Sequence, residues 1–146
     1  MKRLLFLLPT IATANDGLDF ESNGRTCIAF AVFTEARGES MLGQIAVAEV
    51  IKERIEEQGA YTDPCDVVME RNQFHGIREW PQGKLPWNAD KAAWNIALEI
   101  TDGVMLGELS SGCGKAVYFQ SSKLKAPRKT KHICTVGNHS LYSDNK

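Results

Sequence analysis

The chain has 146 residues, 43% of them hydrophobic and 24% charged, with a formal net charge of −1. That is enough chain to bury one core, and its charges are too evenly balanced for the basic footprint of a nucleic-acid binder. No apolar run approaches the roughly 20 residues that a bilayer span requires, so stable membrane insertion is not expected.

In chain order, residues 1–14 differ from the rest: Lys2 and Arg3 give a positive start, Leu4 to Ile11 an apolar run, and Ala12, Thr13 and Ala14 a small-x-small cleavage pattern. They read as a secretory signal peptide cut after Ala14, leaving residues 15–146 as one domain in a secreted or periplasmic protein. Pro9 and the abrupt change to polar Asn15 and Asp16 speak against the alternative, an apolar helix packed on the domain. Export gives the four cysteines, Cys27, Cys65, Cys113 and Cys134, a meaning: an even count in a small exported chain favours two disulfides, with three pairings open. A zinc site built from Cys113, His132, Cys134 and His139 is the competing reading, and its spacings fit the usual ligand patterns poorly.

Residues 26–37 predict a first helix, with Thr26 as N-cap and Gly38 ending or bending it. A second runs over about 42–57, with Val47, Ala48, Ile51 and Ile55 on one face, charged residues on the other, and Gly59 at its end. Residues 61–64 are a loop and 65–69 a short helical turn or strand, while the irregular mixture over 72–88 reads as a long surface loop. Asn88 or Asp90 starts a third helix, with Ala93, Ile96, Ala97 and Ile100 as its apolar stripe and Gly103 as its stop. Segments 116–120, 133–136 and 140–142 are strand-like, so helices come first and a small antiparallel sheet last: an α+β chain.

The first helix carries the chemistry. At 100° per residue, Ile28, Ala31, Val32 and Glu35 share one arc, so Glu35 extends an apolar stripe toward the core or a cleft. A carboxylic acid against apolar walls favours its neutral form, which suits a general acid near neutral pH. Glu39 lies near the same face if the helix continues past Gly38, where like-charge repulsion would raise the Glu35 pKa further. Arg37 points away and is assigned to a structural ion pair, and His139 to a hydrogen-bonded structural role. Lys123, Lys125, Arg128, Lys129 and Lys131 put five cations in nine residues, a solvated loop with the capacity to meet anionic wall groups.

These residues resemble a known family. The block from Ala29 to Ile55, with Glu35-Ala36-Arg37-Gly38-Glu39, Gly43-Gln44, Val47-Ala48 and Arg54, is similar to the signature of the SleB/CwlJ-type cell wall hydrolases, the spore-cortex-lytic enzymes and their relatives. Cys65, Val67 and Val68 leading to Gln73-Phe74, then Ala116 to Phe119, then Gly137-Asn138-His139 and Tyr142, match further blocks in order. The resemblance implies a lysozyme-like fold with a helical core and a small antiparallel sheet in the C-terminal half. It also implies cleavage of peptidoglycan glycan strands between N-acetylmuramic acid and N-acetylglucosamine, with Glu35 as the catalytic acid. It points to a lytic transglycosylase; beside the resemblance, a monomer with no cofactor and no metal is expected. Glu39, Gln44, Gln73, Phe74, Tyr118 and Asn138 are the candidate substrate-binding residues. The alternatives are a hydrolytic muramidase using Glu39, Asp63 or Asp66 as second carboxylate, and a non-catalytic glycan-binding protein on the same fold. A zinc amidase would need His/Glu ligand motifs that the chain lacks.

Overall fold

A computed structural model describes residues 23–71, 73–81, 84 and 86–145; the signal-peptide assignment for residues 1–14 lies outside them. The elements are α1 (Gly24–Ala36), α2 (Met41–Gln58), α3 (Pro64–Met69), α4 (His75–Arg78), α5 (Pro86–Ala89), α6 (Lys91–Met105), β1 (Tyr118–Ser121), β2 (Thr130–Val136) and β3 (His139–Asp144). Helices precede a three-stranded antiparallel sheet of order β1-β3-β2, the α+β arrangement expected.

Helix starts follow local chemistry. Asn23, not Thr26, caps α1, its side chain accepting from the Thr26 N–H at 3.3 Å, so the helix begins two residues early. Ser40 caps α2, Asp63 caps α3 with Pro64 in its first turn, and Asp90 caps α6. α2 ends at Gly59 as expected, the Gly59 N–H donating to the Ile55 carbonyl. Gly103 does not stop α6. The helix runs on to Met105, and Gly103 is small because a Cβ there would come within 2.5 Å of Leu109 Cδ1.

α1 is the axis of the core. Cys27 to Phe33 and Ala36 are all buried, with α2, α3, α4 and α6 packed around them. The single stripe read from the sequence is therefore incomplete: a helix enclosed by neighbours is apolar all round. On α6 the buried residues are Trp94, Ala97, Ile100, Thr101, Gly103 and Val104, while Ile96 is 39% exposed. Trp94 displaces the predicted stripe because its ring meets Phe30 and Phe33 edge-on, with centroids at 6.5 and 6.0 Å. Segment 72–88 is not structureless either: it carries α4 and α5, and Trp80 packs edge-on against Phe30 and Phe33 at 5.8 and 5.4 Å.

Two disulfides complete the frame, Cys27–Cys65 joining α1 to α3 and Cys113–Cys134 joining the segment before β1 to β2, with Cα separations of 5.2 and 5.8 Å. Cys113 and Cys134 thereby leave the zinc reading without its thiolates. Between β2 and β3 a two-residue turn holds Gly137 at φ 56, a conformation that favours glycine. Among the described residues no helix is long and apolar enough to cross a membrane.

Candidate active site

Glu35 sits in the last turn of α1, where the helix leaves the core and meets α4. Its Oε1 accepts a hydrogen bond from the Gly76 N–H at 2.7 Å. Gly76 admits this approach because it has no side chain: a Cβ would stand 2.9 Å from that oxygen and from Thr34 Cβ. Thr34 turns its hydroxyl back to the Phe30 carbonyl, at 2.9 Å, and so leaves the carboxyl without a competing donor from its own helix neighbour. Burial pushes the Glu35 carboxyl above its ordinary range; the Gly76 N–H, His75 and His139 pull the other way, and Glu79 adds a small upward push.

The cleft beside Glu35 has a volume of about 450 Å³. Arg54, Gln73, His75 and Tyr118 line it together with Glu35, and the β1–β2 side contributes Gln120, Ser121, Leu124 and Pro127, with His139 from β3. Glu35 is the sole carboxylate among these lining residues. A smaller hollow of about 270 Å³, between α2 and residues 107–116, has neither Glu35 nor an aromatic ring in its lining.

Arg54 organises one side of the cleft. It is 8% exposed, and its Nε donates to the Val117 carbonyl at 2.5 Å while Nη2 donates to Gln73 Oε1 at 2.5 Å. Its guanidinium also lies over the rings of Phe74 and Tyr118, at 5.4 and 5.2 Å from their centroids. Burial lowers its pKa, with Glu70, 4.0 Å away, opposing. A guanidinium has donors only, so it takes the oxygen of the Gln73 amide and leaves the NH₂ end of that amide for other acceptors.

The other sequence candidates divide. Gln73 and Tyr118 are half-buried and share the cleft with Glu35. Phe74 is 1% exposed and packs on Phe119 at 5.9 Å, beneath the surface. Gln44 is 8% exposed, and its amide nitrogen donates to the Glu39 carbonyl at 3.2 Å, bracing the α1–α2 turn. Glu39 does not lie along the Glu35 face. α1 ends at Ala36, and the Glu39 carboxylate accepts from the Asn138 backbone and side-chain nitrogens at 3.3 and 3.2 Å, away from the groups that shift Glu35. Glu39 therefore does not supply the like-charge effect expected of it; burial raises the Glu35 pKa as expected, and the like-charge push comes from Glu79. Asp63 is engaged as the α3 cap and Asp66 is exposed.

Two structural assignments change. Arg37 makes no ion pair among the described residues; its guanidinium covers the rings of Phe33 and Trp80, at 5.0 and 5.5 Å. His139 is not the hydrogen-bonded residue expected: among the described residues its buried Nδ1 has no partner, and its ring meets Phe119 edge-on at 5.2 Å on the cleft wall. Sequence reasoning gave no role to Arg54, His75, Gln120 or Pro127. For Arg54 a signal exists, since it falls on the Val47–Ile51 face of α2 as a lone cation among apolar residues.

Residues 38–142 match the cell wall hydrolase family, well over half of the chain, and the chain belongs to that family of peptidoglycan-degrading enzymes. Glu35 stands just ahead of the matched stretch. Among solved structures, the catalytic domain of the Bacillus cereus SleB protein aligns with a TM-score of 0.63 and 24% identity, over 82% of this chain and 89% of that one. The catalytic domain of the germination-specific lytic transglycosylase SleB from Bacillus anthracis aligns with a TM-score of 0.63 and 22% identity, over 87% and 99%. The fold is that of these lysozyme-like domains. No curated protein matches the sequence.

Proposed function

We propose that the protein is a lytic transglycosylase that cleaves peptidoglycan between N-acetylmuramic acid and N-acetylglucosamine, with Glu35 as its one acid and base. The observation that carries this reading is a half-buried carboxyl of raised pKa that is, among the described residues, the sole carboxylate lining the cleft. Protonated Glu35 gives its proton to the bridging oxygen as the bond from muramic C1 breaks. The resulting carboxylate takes the proton of the muramic C6 hydroxyl, and O6 bonds to C1 as a 1,6-anhydro ring. Glu35 ends protonated, and no water is consumed. A hydrolytic muramidase commonly needs a second carboxylate to act as nucleophile or to activate water. Glu39, Asp63 and Asp66 are absent from the cleft lining.

The remaining candidates take graded roles in this reading. Gln73, its amide oxygen held by Arg54, offers hydrogens to an acetamide carbonyl or hydroxyl, and Tyr118 offers a ring edge and a hydroxyl to the sugars. Glu39, Gln44, Asn138 and Phe74 support the cleft from behind. The two disulfides favour an oxidising compartment, and with it export through residues 1–14.

Mass spectrometry of products from purified peptidoglycan tests the reading. Muropeptides one water lighter than their reducing-end counterparts are expected, and Glu35→Gln should lower their release by at least about 10²-fold. Reducing-end products alone would assign the hydrolytic route. Undiminished release by the variant would remove Glu35 from the chemistry.

A further inference from the structure

The stretch from the end of β1 to the start of β2, residues 121–131, forms part of the cleft through Ser121, Leu124 and Pro127, and it is the most basic stretch of the protein. Five of the 17 cations, Lys123, Lys125, Arg128, Lys129 and Lys131, fall within nine residues with no acid between them, in a chain whose net charge is −1. All five are exposed, and among the described residues none is in an ion pair: the pairs are Arg25–Asp102, Lys52–Glu56, Arg54–Glu70 and Lys115–Glu53. Asp144, which the sheet register sets opposite Thr130, lines a hollow together with Tyr118 and Arg54.

The charges ride on a braced backbone. Ser122 N–H donates to the Asn138 carbonyl at 2.8 Å and Leu124 N–H to that of Ser121 at 3.0 Å. Gln120 Nε2 reaches the Lys125 carbonyl at 2.8 Å, the Thr130 hydroxyl that of Pro127 at 2.7 Å, and Asn145 N–H that of Lys129 at 3.1 Å. Five exposed like charges carried on one braced stretch of backbone repel one another, which a bound anion relieves. Among these cations stands Leu124, 60% exposed and itself in the cleft lining.

We propose that this segment is a docking surface for the stem peptides of the glycan strand being cleaved, its cations binding the peptide carboxylates and Leu124 their alanine methyl groups. The inference rests on reading the cleft as a glycan site, because muramic acid carries its peptide on the sugar that such a cleft would hold. The exposed leucine is what favours a peptide over the other abundant wall anion, a polymer of phosphates, which offers charge without matching methyl groups. The segment thus selects glycan that still bears its peptides.

Binding can be separated from cleavage by using full-length Glu35→Gln protein. Its affinity is measured on insoluble peptidoglycan freed of phosphate polymers, with peptides intact or stripped by an amidase. Peptide-bearing material should bind about threefold to tenfold more tightly, the sum of two or three exposed ionic contacts, and the excess should fall with added salt. Adding Lys123→Gln, Lys125→Gln and Arg128→Gln should bring the ratio near one while leaving affinity for stripped glycan unchanged. A ratio near one in the parent protein, or a ratio the triple substitution does not alter, overturns the proposal. On walls that keep their phosphate polymers, a loop-dependent gain that survives peptide stripping would assign the surface to phosphate and equally overturn it. If the wild type releases no muropeptides while the peptide preference stands, the cleavage reading fails and the docking surface remains.

Discussion

At Glu35, one hydrogen bond competes with desolvation. The Gly76 N–H stabilises the carboxylate, and burial, the larger effect, destabilises it. With the folded pKa raised, the protonated group is at ease in the fold. Its stabilising contribution is full below the unfolded value of about 4.3 and is lost as pH rises through the folded value. Glu35→Gln keeps an oxygen for the Gly76 N–H and never ionises. The variant should therefore match the wild type in denaturant unfolding near pH 4 and be the more stable of the two near pH 8. Equal stability at both pH values would mean that the carboxyl is not held against its charge. With Glu35 as the proposed acid, the same sign predicts that wild-type cleavage falls on the alkaline side as the acid form is depleted.

At the scale of elements, Arg54 links α2 to Val117, the residue before β1, and to Gln73, tying three pieces of chain with two hydrogen bonds. Arg54→Met keeps the length and apolar contact of the side chain but leaves the Val117 carbonyl and Gln73 Oε1 without it. Equilibrium unfolding should report a loss of about 3 kcal/mol, in line with bonds to a charged donor, and activity should drop with Gln73 unanchored. A loss under about 0.5 kcal/mol would place the Arg54 contacts among dispensable surface bonds. How much of this was legible varies by element. α2 was readable because one of its faces is solvated, so its apolar periodicity, Val47 to Ile55, survives in sequence. α1 gave its existence but not its central position, since burial on all sides erases periodicity. The four-residue helices α4 and α5 have too few residues to show any period, and they hid Gly76 and His75. Glu35 was legible from its place at a helix end within a familiar motif. Glu39 was misplaced because nothing local reveals that a hairpin turn 99 residues away supplies its donors. The strand order β1-β3-β2 is likewise set by long-range pairing.

For the whole molecule, the disulfides close sequence separations of 38 and 21 residues. On chain-entropy grounds each contributes about 3–4 kcal/mol, against a typical total of about 5–15 kcal/mol for a domain. Reduction should thus lower the melting temperature steeply, and thermal melts with and without reductant measure it; unchanged melting would show that the core alone sustains the fold. One bridge lies wholly among the helices and the other wholly on the sheet side, so neither disulfide spans the groove that holds Glu35. The two banks are moored to each other by noncovalent ties such as Arg54 to Val117 and Glu39 to Asn138. A saccharide chain lying across both banks would act as a splint, and amide hydrogen exchange along β1 and β3 should slow when it is added.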